Sequence, residues 1–336
     1  MSGLEVLAIR HLRPFLHHNF FLGISRLQSV KSLQLSQCTF SNISQLRRIV
    51  CALPQLLQLA LSYVRLRVIR HPPGYNSIHY VGVETRLRSL SITLDGYIDE
   101  SMEVVIDWIF HSGIGANLQD LSVWVGDPAP DPALRQNPNK LLAASGPSLT
   151  QYTEQYQSGP YGRKRHAGHL DFAANTTLQA FAIALDTIRL NRGQRSDWLR
   201  GWSELVDQLR GILATVRSRQ VRDIKINGRI RFWSEPAGDF TAITEDLDLA
   251  RLHEVMSQPS FDAVHEVEVK VEIIDTVPRT SALSTNLDCE KNRQRVEDIF
   301  RGLLNPWSGR ATVRVSMRSH YPMPSDWPQM PRRLKL

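Results

Sequence analysis

A chain of 336 residues, 42% of them hydrophobic and with a mean hydropathy of −0.25, holds enough apolar material for a folded core. It has no run of about 18 apolar residues, so no transmembrane helix is expected. Forty Lys and Arg against 33 Asp and Glu leave a net charge of +7, mostly from Arg; that permits acidic partners but falls short of the clustered basic face of a nucleic-acid binder.

The N-terminus shows no basic-then-apolar leader, and Cys38, Cys51 and Cys289 make no C-x-x-C or metal spacing. Both features point to a cytoplasmic or nuclear protein. Cys38 and Cys51 read as buried structural thiols.

Residues 1–29 enter a leucine pattern directly at Leu4, and His17 and His18 lie in an apolar stretch with Phe15, Phe20 and Phe21. Val30–Ser36 reads as a strand. A helix follows from Ser41 or Asn42 to about Ala52, with Ile43, Leu46, Ile49 and Val50 on one face and Pro54 beyond its end. The next strand covers 57–63, and 71–77 is a Pro/Gly loop. Strands are expected at 89–94 and 118–125, with a helix over 99–111 between them. Gly113 and Gly115 follow that helix and precede a strand, the reverse of a dinucleotide turn.

Residues 126–140 and 155–170 read as inserted loops, the second carrying Arg163, Lys164 and Arg165 followed by His166 and His169. Strands are then expected at 177–185, 221–227, 264–273 and 311–318. The helices between them fall at 197–217, 246–256 and 290–304, and a Pro-rich basic tail occupies 319–336.

An L-x-x-L-x-L register runs through these strands. It stands at Leu4/Leu7/Ile9, Val30/Leu33/Leu35, Leu56/Leu59/Leu61, Leu87/Leu90/Ile92 and Leu118/Leu121/Val123. A weak copy at Leu149/Tyr152 has Glu154 in its last place. It continues at Leu178/Phe181/Ile183, Val221/Ile224/Ile226 and Val264/Val267/Val269, and ends in a half copy at Val313/Val315. Strand side chains alternate between faces, so these positions point inward. One such unit cannot bury its apolar face without neighbours. The expectation is an α/β leucine-rich-repeat-like solenoid over residues 1–318, a horseshoe with a parallel sheet on the concave face and helices on the convex face.

The alternate positions then line the concave face. Gln34, Ser36, Gln58, Ser91, Thr93, Ser122, Trp124, Lys225 and Glu268 are the candidate protein-binding residues, with Trp124 as an aromatic anchor unless the loop at 127–132 covers it. Phosphate-loop, nucleophile-elbow, zinc-protease and EF-hand motifs are absent. The function expected is a monomeric, non-enzymatic interaction scaffold for an unidentified protein partner, without cofactor, metal or membrane. The alternative is nucleic-acid or acidic-ligand binding through Arg163–Arg165 and the Arg-rich region 189–231.

VKSLQLSQCTF, followed by a helix and then CALPQLLQLALSYV, resembles large fungal families of F-box-associated leucine-rich-repeat-like proteins. Similar cues continue at ASGPSLTQY, NTTLQAFAI, WSELVDQLRGILATVRSRQVRDIKI and EDLDLARLHEVMSQPSFDAVHEVEVKV, covering about residues 27–318. In those families the repeats are thought to select substrates for a ubiquitin ligase, which an N-terminal F-box contacts. Residues 1–25 here lack the Leu-Pro-x-Glu opening of an F-box. The resemblance therefore implies partner-selecting repeats without the ligase-docking module.

Overall fold

A computed structural model describes residues 3–14, 16–67, 86–94, 100–125, 137–156, 170–190, 195–232, 245–275 and 285–320. In chain order the elements begin with β1 (Val6–Arg10), α1 (His18–Ser25), β2 (Ser32–Ser36), β3 (Thr39–Phe40), α2 (Ile43–Cys51), β4 (Gln58–Ser62) and β5 (Arg65–Leu66). Next come β6 (Ser89–Leu94), α3 (Glu100–Ser112), β7 (Asp120–Val125), α4 (Asn137–Ser145), β8 (Gln151–Tyr156) and β9 (Ala180–Leu190). The series closes with α5 (Arg195–Thr215), β10 (Asp223–Phe232), α6 (Ala250–Met256), β11 (Glu266–Asp275), α7 (Thr285–Leu303), α8 (Asn305–Ser308) and β12 (Thr312–His320). All strands but β3 and β5 belong to a ten-stranded parallel sheet in which they follow chain order; β3 and β5 pair separately. The chain divides into two compact units. One is Met1–Ala184, Gly211–Asp223 and Pro259–Ala263; the other is Leu185–Arg210, Ile224–Gln258 and Val264–Leu336.

In the first unit the leucine register becomes three interior rows. Leu7, Leu33, Leu59, Leu90, Leu121, Tyr152 and Phe181 stand side by side on consecutive strands. Ile9, Leu35, Leu61, Ile92, Val123 and Glu154 form the second row. Val30, Leu56, Leu87, Leu118, Leu149 and Leu178, just before the strands, supply the third and are fully buried. Each buried leucine contributes about 1.5–3 kcal/mol relative to exposure.

The strand entries repeat as well. The carbonyls of Glu5, Lys31, Leu57, Arg88, Gln119, Thr150 and Gln179 each accept the first two N–H groups of the following strand region, for example Leu57 N and Gln58 N on Lys31 at 2.8 and 2.9 Å. The exits repeat too: His11, Gln37 and Tyr63 take φ of 55°, 54° and 53°. A left-handed turn costs a non-glycine residue roughly 1 kcal/mol. It is offset where His11 N and Gln37 N donate to Ser36 O and Ser62 O on the neighbouring strands, at 3.0 and 2.8 Å.

Local chemistry closes the helices. Asn42 caps α2, its Oδ1 accepting from Gln45 N at 3.3 Å, while Gln45 Oε1 accepts from Ser41 N at 2.7 Å. Such a cap contributes about 1 kcal/mol. Ser41 Oγ and Gln45 Nε2 both donate to Pro14 O, tying this turn to the preceding one. Lys140 Nζ on α4 reaches Asp107 Oδ1 on α3 at 2.7 Å and Glu103 at 3.7 Å; the bond to Asp107 raises the lysine's pKa above its ordinary value.

In the second unit, aromatic side chains fill the space under longer strands. Trp202 of α5 meets Phe300 of α7 edge-on at 5.7 Å, and the buried Trp307 donates to Met256 O at 3.1 Å. Gly228 in β10 lies beside Phe300, and a Cβ there would stand 3.7 Å from that ring.

Several expectations are corrected. Leu4 opens the register but is 48% exposed, because β1 begins the sheet order and no described strand covers it. Residues 137–140 are the first turn of α4, whose Leu141 and Leu142 are buried, rather than the end of an inserted loop. Gln155 and Tyr156 complete β8, Leu170 is buried, and Ser319 and His320 still belong to β12. The loops at 71–77 and 127–132, the basic loop 157–169 and the tail 321–336 lie outside the described residues.

The two described thiols part company as well. Cys38 is buried, its thiol donating to Ile9 O at 3.5 Å, whereas Cys51 at the end of α2 is exposed. Desolvation raises both thiols above their ordinary range, so access to the reagent is what separates them. Brief iodoacetamide treatment of the folded protein should therefore label Cys51 and spare Cys38 until denaturant is added, as peptide mass mapping will show. Equal labelling of both would contradict the packing of β2 against β1.

Candidate interaction face

Because β-strand side chains alternate, fixing the leucines inside fixes the other residues outside. In the first unit they form three rows. Ser32, Gln58, Ser89, Asp120 and Gln151 lie in one, and Gln34, Ala60, Ser91, Ser122 and Thr153 in the next. Ser36, Ser62, Thr93, Trp124 and Gln155 make the third, which Arg10 extends at the end of β1. The fold thus brings Gln34, Ser36, Gln58, Ser91, Thr93, Ser122 and Trp124 onto one face.

Short hydroxyls and amides dominate this face, and Trp124, 40% exposed, is its large apolar group. Gln34 and Gln58 are exposed, while Ser36, Ser91, Thr93 and Ser122 are half-buried. Asp120 is the acidic residue of these rows; partial burial among its neighbours pushes its carboxyl above the ordinary range. Such a surface offers many small donors and acceptors, with one anchor, Trp124, between Thr93 and Gln155.

Thr153 and Gln155 belong to the same face, and sequence reasoning missed them. The leucine register falters in β8, where Tyr152 and Glu154 take the inward places. Glu154 is 3% exposed, and its Oε2 accepts from Ala184 N at 3.3 Å. A visible cue was the alternation Gln151, Thr153, Gln155, polar at each outward step.

Lys225 and Glu268, the candidates in the second unit, face each other on adjacent strands at 3.7 Å. Glu268 also meets Lys270 at 3.0 Å, Glu266 meets Arg314 at 3.2 Å, and Arg229 meets Glu272 at 2.7 Å. The charges on β10, β11 and β12 are thus largely spent on one another. The same holds on α5, where Arg200 pairs with Asp197 and Arg210 with Asp207, both at 2.9 Å. Within the Arg-rich region 189–231, Arg200, Arg210 and Arg229 are thus paired, while Arg217 and Arg219 are exposed. Arg163, Lys164, Arg165, His166 and His169 fall outside the described residues.

Among the described residues no three His, Cys, Asp or Glu side chains gather as a metal-holding cluster, and no helix is long and apolar enough to cross a membrane. No protein-family model matches the chain, and no curated protein is significantly similar to it.

Proposed function

We propose that this chain is a non-enzymatic protein-interaction scaffold whose units are leucine-rich-repeat-like coils stacked as a solenoid. In this reading the parallel sheet lines a concave binding face and the helices form the convex side. The observation that carries it is the first unit's outward surface: three aligned rows of mostly small polar side chains with an exposed Trp124 among them. An outward face of small polar groups around one exposed aromatic offers hydrogen-bonding groups and an anchor to a partner. The same reading makes the chain a relative of the F-box-associated repeat proteins, one that selects a partner intracellularly through its repeats.

The test is capture of proteins from cell extract on the immobilised chain, compared with Trp124→Ala and with Ser91→Arg/Ser122→Arg. Truncating an aromatic anchor removes about 2 kcal/mol or more, so the amount of specific partner retained should fall about thirtyfold. The paired arginines should abolish retention by occupying the face. Retention that survives both changes would remove the sheet face from the function.

A further inference from the structure

The chain's charge is segregated. Residues 1–94 hold eleven Lys and Arg against two acidic residues, Glu5 and Glu84, a balance of +9 beside +7 for the whole chain, so the positive excess lies in this stretch. The fold sorts this charge further. Glu5 sits at the entry of β1 and is held by Lys31 Nζ at 2.7 Å. At the opposite, exit end of the strands the chain leaves through the left-handed turns, and there arginines collect.

Their alignment follows from hydrogen bonds. Thr39 N donates to Leu12 O at 2.8 Å, Thr39 pairs with Arg65, and Arg67 N donates to Phe40 O at 2.9 Å. Arg13, Thr39 and Arg65 are thus successive steps of one row, about 10 Å from first to last at ordinary strand spacing. Arg67 lies about 7 Å along the chain from Arg65, and Arg10 ends the adjoining row beside Ser36. All four arginines are exposed while Phe40 and Leu66 are buried beneath them. Among the described residues Arg10, Arg13 and Arg65 have no carboxylate partner. Helix α3 meets this edge through Ser101 Oγ, 3.0 Å from Leu66 N, and the two carboxylates of α3 whose side chains are described, Glu103 and Asp107, are engaged by Lys140.

We infer that this arginine rim docks an acidic, extended segment of the partner protein, with the adjoining rows of Gln and Ser receiving its backbone. The inference rests on the scaffold reading and names the partner's chemistry. Guanidinium forks pair with carboxylates in bidentate fashion, and all four rim residues are Arg rather than Lys. Single-stranded nucleic acid is the weaker fit. It needs aromatic platforms, worth about 1–3 kcal/mol per stacked base, and the outward positions of β1, β2, β4 and β6 hold none.

The test is a fluorescence-anisotropy titration of the full chain with a labelled oligoglutamate peptide of about ten residues, long enough at about 3.3 Å per residue to span the rim. Oligothymidylate and oligoserine serve as comparison probes. The glutamate peptide should bind, and added salt should weaken it. Arg13→Glu/Arg65→Glu should reduce binding about tenfold or more, whereas Arg217→Glu/Arg219→Glu, an equal charge change at exposed positions elsewhere, should stay within about twofold. If the reversal lowers the thermal midpoint, Arg13→Gln/Arg65→Gln takes its place and should still weaken binding.

No binding by the glutamate peptide, an equal loss in both charge-reversed pairs, or tighter rim-dependent binding of oligothymidylate would each overturn the inference. Trp124-dependent capture from extract that persists beside any of these results rejects the acidic partner and leaves the scaffold standing. Loss of that capture as well rejects both.

Discussion

Leu59→Ala should lower the free energy of unfolding by about 2–5 kcal/mol, while Gln58→Ala, one residue earlier on the same strand, should change it by less than about 0.5 kcal/mol. The contrast comes from register. Leu59 is 1% exposed and stands between Leu33 and Leu90 in the interior row, so truncation leaves a cavity flanked by two strands that hold their places. Gln58 lies in the outward row between Ser32 and Ser89 and loses only solvated contacts. A one-residue slip of β4 would exchange the two environments, which makes the pair a direct test of the strand's phase. Urea titrations of both variants beside the parent will read it, and comparable losses from the two would contradict the row assignment.

That phase was legible before any coordinates because period-two alternation is unbroken from Leu7 to Val123. The polar positions between the leucines hold no competing large apolar residue before Trp124. Helix α2 was equally plain: Asn42 offers a capping oxygen, and Ile43, Leu46, Ile49 and Val50, all buried, recur at helical spacing.

Helix α4 was hidden by its own start. Asn137-Pro138-Asn139 carries three turn-forming residues, yet proline is well tolerated in a first helical turn, where its missing N–H has no intrahelical partner to lose. Strands β9 and β10 run longer than expected, since alternation continues past the register positions to Leu190 and Phe232, while β11 keeps its expected length and is shifted by two residues.

The arginine rim was not legible at all. Arg10, Arg13, Arg65 and Arg67 are far apart along the chain and become neighbours only when successive turns stack. Local sequence pointed instead to Arg163–Arg165, a dense run whose density says nothing about what surrounds it. The polar face shows the same division. Its inner-outer phase is local and readable, whereas the break at Glu154 depends on a bond to Ala184 of another strand.

A second large effect is expected at Asn175, which is completely buried. Its Nδ2 donates to Leu142 O at 3.0 Å and to Gly146 O at 2.8 Å, tying the end of α4 to the turn before β9. Asn175→Ala leaves those two carbonyls without their donor and should cost about 2–3 kcal/mol at any pH. Asn175→Asp is nearly isosteric but aims a carboxylate oxygen at two carbonyl oxygens. The folded state then favours the protonated acid, whose O–H can still donate to one of them, so the folded pKa rises above the ordinary value of about 3.9. Between the unfolded and folded pKa values the native state binds more protons than the unfolded state, and stability relative to the parent falls as pH rises. Asn175→Asp should accordingly cost about 1–2 kcal/mol at pH 4 and about 3–5 kcal/mol at pH 7. Denaturant titrations of parent, Ala and Asp variants at both pH values will separate the cases. A penalty for Asp that does not grow with pH would mean that the side chain turns away from the two carbonyls, and that the link between α4 and the β9 entry is not made by this residue.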